Sequence, residues 1–202
     1  MSTIPLLVEF SGLRVLIVGG GAVATRKARQ FAAAGALVRV VAPQTSPELE
    51  QIILEYDLQL DARAYADGDV ADAQLVVAAT NDRRVNERIA QDVAAENRMV
   101  NVSDLSDGGM FAVMATHRRG GMTIGVSAGG VPAAAVRIRN AIAERFDARY
   151  ADALNALTAL RRAMLARGDT AGWRARSEEL VGEDFCDAVE SGSLNERLAE
   201  WP

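Results

Sequence analysis

A chain of 202 residues, half of them hydrophobic, can bury one substantial core with a smaller appendage beside it. Its 22 Lys plus Arg against 27 Asp plus Glu leave a formal charge of -5, the wrong sign for a protein that rides on phosphate backbones, so no nucleic-acid partner is expected. One cysteine, Cys186, excludes an internal disulfide, and one histidine, His117, excludes a His-rich metal site; a reducing, cytoplasmic setting and no bound metal are expected.

The first ten residues lack the basic region and apolar run of a secretory signal, and charges or glycines interrupt every later apolar stretch, so no membrane span is expected. Arg14 to Val18 is an apolar, β-branched run stopped by three glycines, the pattern of a strand buried on both faces. From Ala22 to Ala34, apolar Ala24, Ala28, Phe31 and Ala32 recur at helical spacing, and Gly35 supplies the residue expected beyond a helix end. Leu37 to Val41 reads as a second strand. A helix near Pro47 to Leu54 follows, then a weaker strand near Leu58 to Ala62 and a clear one at Leu75 to Ala79. Helix Val85 to Ala95 and strand Met99 to Val102 continue the alternation.

Strand, helix, strand in succession requires parallel pairing through right-handed crossovers, and ligands of such sheets lie beyond the carboxyl ends of the strands. Gly19 to Gly21, Ala42-Pro43-Gln44, Thr80-Asn81-Asp82 and Ser103-Asp104 are therefore expected around one crevice.

After Asp104 the pattern changes. Phe111 to Thr116 and Met122 to Ser127 are strand-like and are expected to form a hairpin or arm, joined by a basic loop of His117, Arg118, Arg119, Gly120 and Gly121. Pro132 opens a helix to about Phe146, and the chain from Tyr150 to Trp201 reads as helical with breaks near Gly168 and Gly192. The expected architecture is α/β, with a Rossmann-type parallel sheet domain at 1–113 and a helical C-terminal piece.

The segment from Val15 to Ala24 matches the dinucleotide fingerprint, with Ala24 in the place of the third glycine. Gly19 permits the tight turn, Gly20 continues it, Gly21 lets backbone approach a pyrophosphate, and Ala24 lets helix pack on strand. The helix N-terminus then faces the anion. The second strand ends in Val41-Ala42-Pro43-Gln44 without an acidic residue for the ribose hydroxyls, and no arginine follows to favour a 2′-phosphate. NAD is thus the expected cofactor, with Gln44 or the backbone at Pro43 on the ribose, although Gln44 fits an ordinary turn equally well.

Hydride transfer from carbon also needs a group that removes a proton. Asp104, after the strand Met99 to Val102, is the favoured candidate; a local turn with Ser106 or Gly108 is its bland alternative, and Asp107 is a rival. Asp82 is expected nearer the phosphates or ribose. His117 could act as acid or base, but a histidine in an exposed basic loop is more often simply solvated.

Four ordered stretches carry a resemblance: Val18 to Lys27, Ala78 to Asp82, Val100 to Asp104 and Ile124 to Gly130. Together they resemble the precorrin-2 dehydrogenase family, the dehydrogenase and ferrochelatase half of siroheme synthase. The likeness runs from about Pro5 to Phe146 and continues more weakly into the tail. It implies NAD-dependent oxidation of precorrin-2 to sirohydrochlorin, and in many members insertion of ferrous iron, as substrate, to give siroheme. It matches Asp104 to the catalytic aspartate, Ala22 and Val23 to phosphate-side contacts, and Pro43 and Gln44 to ribose-side contacts. Thr80, Asn81, Asp82 and Asn101 are counted with the cofactor contacts. The resemblance further implies a small α+β dimerisation region at 114–147 and a helical domain at 148–202; a homodimer is expected because the arm from Phe111 to Ser127 carries too much apolar strand to remain alone at a surface. Ala128 and Met114 depart from the family pattern.

A substrate with several carboxylates calls for cations and helix N-termini. Ser127, Gly129 and Gly130 form a turn that feeds the proline-started helix, and Arg118, Arg119, Arg137 and Arg139 are near in sequence, although any one of them fits a solvated surface charge. Other readings are a dehydrogenase for a different carboxylated substrate, or a non-catalytic NAD-sensing module; a sensor has no need of Asp104 or of the basic, glycine-rich wall.

Overall fold

The computed structural model describes residues 3–102 and 109–199. The chain divides into two compact units, 1–113 and 114–202. In the first, β1 (Arg14–Val18), β2 (Leu37–Val41), β3 (Gln59–Asp61), β4 (Leu75–Ala78) and β5 (Met99–Val102) form one sheet in the order β3-β2-β1-β4-β5. Every pairing is parallel. The order reverses between β1 and β4, the place where such sheets open a ligand crevice.

Helices α1 (Ala22–Ala32), α2 (Pro47–Glu55) and α3 (Arg83–Ala95) make the crossovers. Alternate strand residues build two cores because successive side chains point to opposite faces. Val15, Ile17, Val38, Val40, Leu75 and Val77 meet Ala24, Ala28 and Phe31 of α1 and Leu49 and Ile52 of α2. On the other face Leu16, Val18, Val76, Ala78, Val100 and Val102 meet Ile89 and Val93 of α3. This Rossmann-type arrangement agrees with the sequence reading. Its helix ends differ slightly: α1 stops at Ala32, and α3 starts two residues early because Asp82 caps it.

In the second unit, β6 (Ala115–Arg119) and β7 (Met122–Val126) pair antiparallel. Helices α4 (Pro132–Arg145), α5 (Ala148–Ala166), α6 (Thr170–Leu180), α7 (Phe185–Ser191) and α8 (Ser193–Ala199) follow. Tyr150, Ala153 and Leu157 of α5, Leu180 of α6, Val189 of α7 and Leu194 of α8 share one core, whereas α4 packs on the β6–β7 hairpin. The breaks at Gly168 and Gly192 occur as expected, both at positive φ, and a further break separates α6 from α7.

The hairpin corrects one expectation. His117, Arg118 and Arg119 are strand residues, paired with Ile124, Thr123 and Met122, and only Gly120 and Gly121 form the turn. His117 is buried, and its Nε2 lies 2.7 Å from the carbonyl oxygen of Phe146. It ties β6 to the end of α4 rather than standing solvated in a loop. The polar side chains of this strand hid it from a search for apolar alternation.

Candidate dinucleotide site

The glycine turn is held from three sides. The Gly19 N–H donates to the Val41 carbonyl (3.0 Å), and the Ser46 N–H donates to the Gly20 carbonyl (2.8 Å). Thr25 Oγ1 donates to the Gly21 carbonyl (3.1 Å) and lies 3.2 Å from Ser46 Oγ. Ser46 Oγ also accepts from the Leu49 N–H, so one hydroxyl caps α2 and braces the turn before α1.

Each glycine has a different reason to be there. Gly19 sits at φ +131, and a Cβ on it would overlap the carbonyl of Ala79. A Cβ on Gly20 would overlap the carbonyl of Gln44. The crevice floor therefore consists of three backbones in close approach, at the ends of β1, β2 and β4. Gly21 has open space where its Cβ would be. It is also the N-cap of α1 and provides no side-chain cap, whereas Ser46 caps α2 and Asp82 caps α3. The first-turn N–H groups of α1 thus face an open, exposed rim at Gly21 and Ala22, with Val23 half-buried beside them. Bare N–H groups at a helix N-terminus beside a Cβ-free backbone fit a dinucleotide pyrophosphate.

The other expected cofactor residues lie around this rim. Pro43 and Gln44 are exposed at the end of β2. Thr80 follows β4 and is locked by Asn86 of α3: Asn86 Oδ1 accepts from the Thr80 N–H (3.1 Å) and Oγ1 (2.8 Å), and Nδ2 donates to the Thr80 carbonyl (3.1 Å). Asn81 and Asp82 are exposed, and Asp82 Oδ1 accepts from the Arg84 N–H (2.8 Å), so its carboxylate serves the helix start. Sequence reasoning missed Asn86. An asparagine four residues past a strand-end loop carries no signal until the fold buries it.

Asn101 is half-buried on β5 and its Nδ2 donates to the Phe111 carbonyl (2.9 Å), while the Met110 N–H donates to the Val100 carbonyl (2.7 Å). Gly109 and Met110 therefore lie against β5. Asp104, with Ser103, Ser106 and Asp107, lies outside the described residues.

In the second unit, Ser127, Gly129 and Gly130 are exposed between β7 and the uncapped N-terminus of α4, and both glycines have positive φ. Arg118 and Arg119 are exposed at the opposite end of the same hairpin. Strand rise puts these two groups about 14 Å apart, so the fold does not bring them onto one carboxylate.

Among the described residues no helix is long and apolar enough to cross a membrane. A model of the family described as "Putative NAD(P)-binding" matches residues 6–115. Siroheme synthase from Chromobacterium violaceum is 35% identical over 202 residues, 99% of this chain and 43% of the relative. Siroheme synthase from Azotobacter vinelandii is 39% identical over 130 residues, 64% of this chain and 28% of the relative. The chain therefore spans less than half the length of these curated relatives. The solved structure of SirC, precorrin-2 dehydrogenase, superposes with a TM-score of 0.76 at 23% identity, covering 98% of this chain and 100% of that one, a likeness of fold.

Proposed function

Because the chain belongs to the "Putative NAD(P)-binding" family, we propose that it uses NAD to dehydrogenate precorrin-2 to sirohydrochlorin. The observation that carries this reading is the 35% identity to a siroheme synthase along 99% of the chain, through both units. NAD, when bound, accepts a hydride from a ring carbon of the substrate and leaves as NADH. The chain's own residues do the rest.

The first turn of α1 and the bare backbone at Gly21 receive the pyrophosphate, with Pro43 and Gln44 toward one ribose and Thr80, Asn81 and Asp82 at the rim by β4. Asp104 removes the proton released as the carbon framework is oxidised, so one hydride and one proton leave together. Ser127, Gly129 and Gly130 offer backbone N–H groups to one substrate carboxylate, and Arg118 and Arg119 offer cations to another. Ferrous iron enters as a second substrate, Asp104 then taking the pyrrole protons; the names of the curated relatives support this step.

We place the protein in the cytoplasm, on its single cysteine, and as a homodimer. Val131 and Ile138, seven residues apart and so on one face of the first half of α4, are exposed apolar side chains that a second copy would cover. Light scattering at low micromolar protein tests the dimer, and a monomer alone defeats it.

Protein, NAD and precorrin-2 mixed together should produce NADH absorbance and the sirohydrochlorin spectrum; ferrous iron added afterwards should give siroheme. NAD binding without any turnover would overturn the enzyme reading in favour of a sensor, and turnover of another carboxylated compound in place of precorrin-2 would overturn the substrate.

A further inference from the structure

The chain holds 22 Lys plus Arg, and all but one are arginine; the exception is Lys27 of α1. Lys27 is 9% exposed. Among the described residues its ammonium has no hydrogen bond and no ion pair, and its charged neighbour, Arg26, carries the same sign. The stem is covered while the unpaired ammonium still reaches water, the arrangement of a cation that lines an open crevice. Burial pushes Lys27 down to about 8, so it still carries its proton at neutral pH.

Its direction follows from helix geometry. Ala24, Ala28 and Phe31 form the stripe that packs on the sheet. Thr25 lies on one flank of that stripe, where its hydroxyl meets Ser46 at the start of α2. Lys27 lies on the other flank, about 70° from the stripe at 100° per residue. Since α2 stands on the β2 and β3 side of α1, the flank of Lys27 is the β4 side. Helical side chains lean toward the helix N-terminus, so the Lys27 stem runs over Val23 and Ala24 toward the first turn. That turn begins five residues back, about 7 Å along the axis, a span that a four-carbon stem largely covers. Two separate features thus converge on the β4 side of the crevice: uncapped N–H groups and, on a covered stem, a cation without a partner among the described residues.

We propose that Lys27 is an anion receptor of this crevice, whose ammonium pairs with an anionic oxygen of the ligand held above the first turn of α1. That oxygen belongs either to the dinucleotide pyrophosphate or to a substrate carboxylate. The inference deepens the dinucleotide and tetrapyrrole reading above and rests on it.

The test compares wild type, Lys27→Met and Lys27→Arg. Dissociation constants for NAD and for sirohydrochlorin are measured separately by titration, without turnover. Lys27→Met, of similar length and no charge, should lose at least tenfold affinity for one ligand, with Lys27→Arg recovering part of it. Loss for NAD assigns the pyrophosphate; loss for sirohydrochlorin assigns the carboxylate. Both constants within twofold of wild type would overturn the inference alone. A wild type that binds NAD but no tetrapyrrole, with NAD affinity lost in Lys27→Met, would sink the substrate reading and leave this one standing. A wild type that binds neither overturns both. Wild-type protein gives a check free of folding effects: Lys27 is the chain's one ε-amine, so its acylation by an amine-reactive ester can be followed by peptide mass. The saturating ligand should slow that acylation at least tenfold, and an unchanged rate counts against the pairing.

Discussion

Asn86, fully buried in α3, holds Thr80 by its N–H, its hydroxyl and its carbonyl at once. One amide therefore sets the loop at the end of β4, the wall of the crevice opposite Gln44. Replacement by alanine would leave both polar backbone groups of Thr80 without that partner, and buried unsatisfied groups cost about 1 to 3 kcal/mol each. Asn86→Ala is expected to lose about 3 kcal/mol in urea denaturation and to weaken NAD binding. Asn86→Asp, which still accepts but cannot donate to the Thr80 carbonyl, should fall between the two. Wild-type NAD affinity in Asn86→Ala would show that the loop does not shape the site.

Gly20 and Gly21 are expected to respond differently to the same methyl group. At Gly20 it meets the Gln44 backbone, which cannot move without parting β2 from the turn; overpacking of this kind costs about 3 kcal/mol. At Gly21 it meets open space. Gly21→Ala should keep wild-type stability and lose at least tenfold in NAD affinity, because its methyl stands where the pyrophosphate would lie. Calorimetric titration of the two variants checks the pair, and unchanged binding in Gly21→Ala would move the anion elsewhere.

Asp104→Ala is expected to abolish dehydrogenation while NAD affinity stays close to wild type, since the proposed role of the side chain is at the reacting carbon. Single-turnover absorbance with saturating NAD measures the first and titration the second. Wild-type turnover would remove Asp104 from the mechanism.

Asp69 anchors the far edge of the sheet. Its buried carboxylate accepts from Arg63 (2.6 and 2.8 Å), from Arg39 of β2 (3.1 Å) and from the Ala66 N–H (2.9 Å). The Arg63 hydrogen bonds lead the causes that hold it down at about 2, below the ordinary 3.8. A carboxyl depressed by folding contributes stability above its unfolded value and loses it as the pH falls through the folded one. That contribution, about 2 kcal/mol, should be complete above about pH 5 and vanish on acidification toward about pH 1. Urea denaturation of wild type and Asp69→Asn across this range should show the gap closing at the acid end.

Lys27 has the opposite sign. Burial holds its amine at about 8 in the fold against 10.5 in the open chain. Below pH 8 the fold must carry a partly desolvated charge, and the cost is fully present; between pH 8 and 10.5 it is relieved. Lys27→Met should therefore be more stable than wild type at pH 7, by about 2 kcal/mol, and the difference should shrink as the pH rises through that window. A variant less stable at pH 7 would mean that the ammonium is paired in the fold.

The sequence by itself determined the sheet and the glycine turn. Buried parallel strands such as Leu75–Ala78 read as unbroken apolar runs, and the glycines after Val18 mark a turn where side chains have no room. Contacts between residues distant in the chain were left to the tertiary structure. His117 became a strand residue by pairing with Ile124, and its buried ring finds a partner in the carbonyl of Phe146, 29 residues on. Asn86 looks like an ordinary helical polar residue until packing removes its water, and Lys27 until packing covers its stem. Local patterns specify which elements form, because periodicity and turn chemistry are local; only the assembled fold decides which polar groups are buried, and whether a partner meets them.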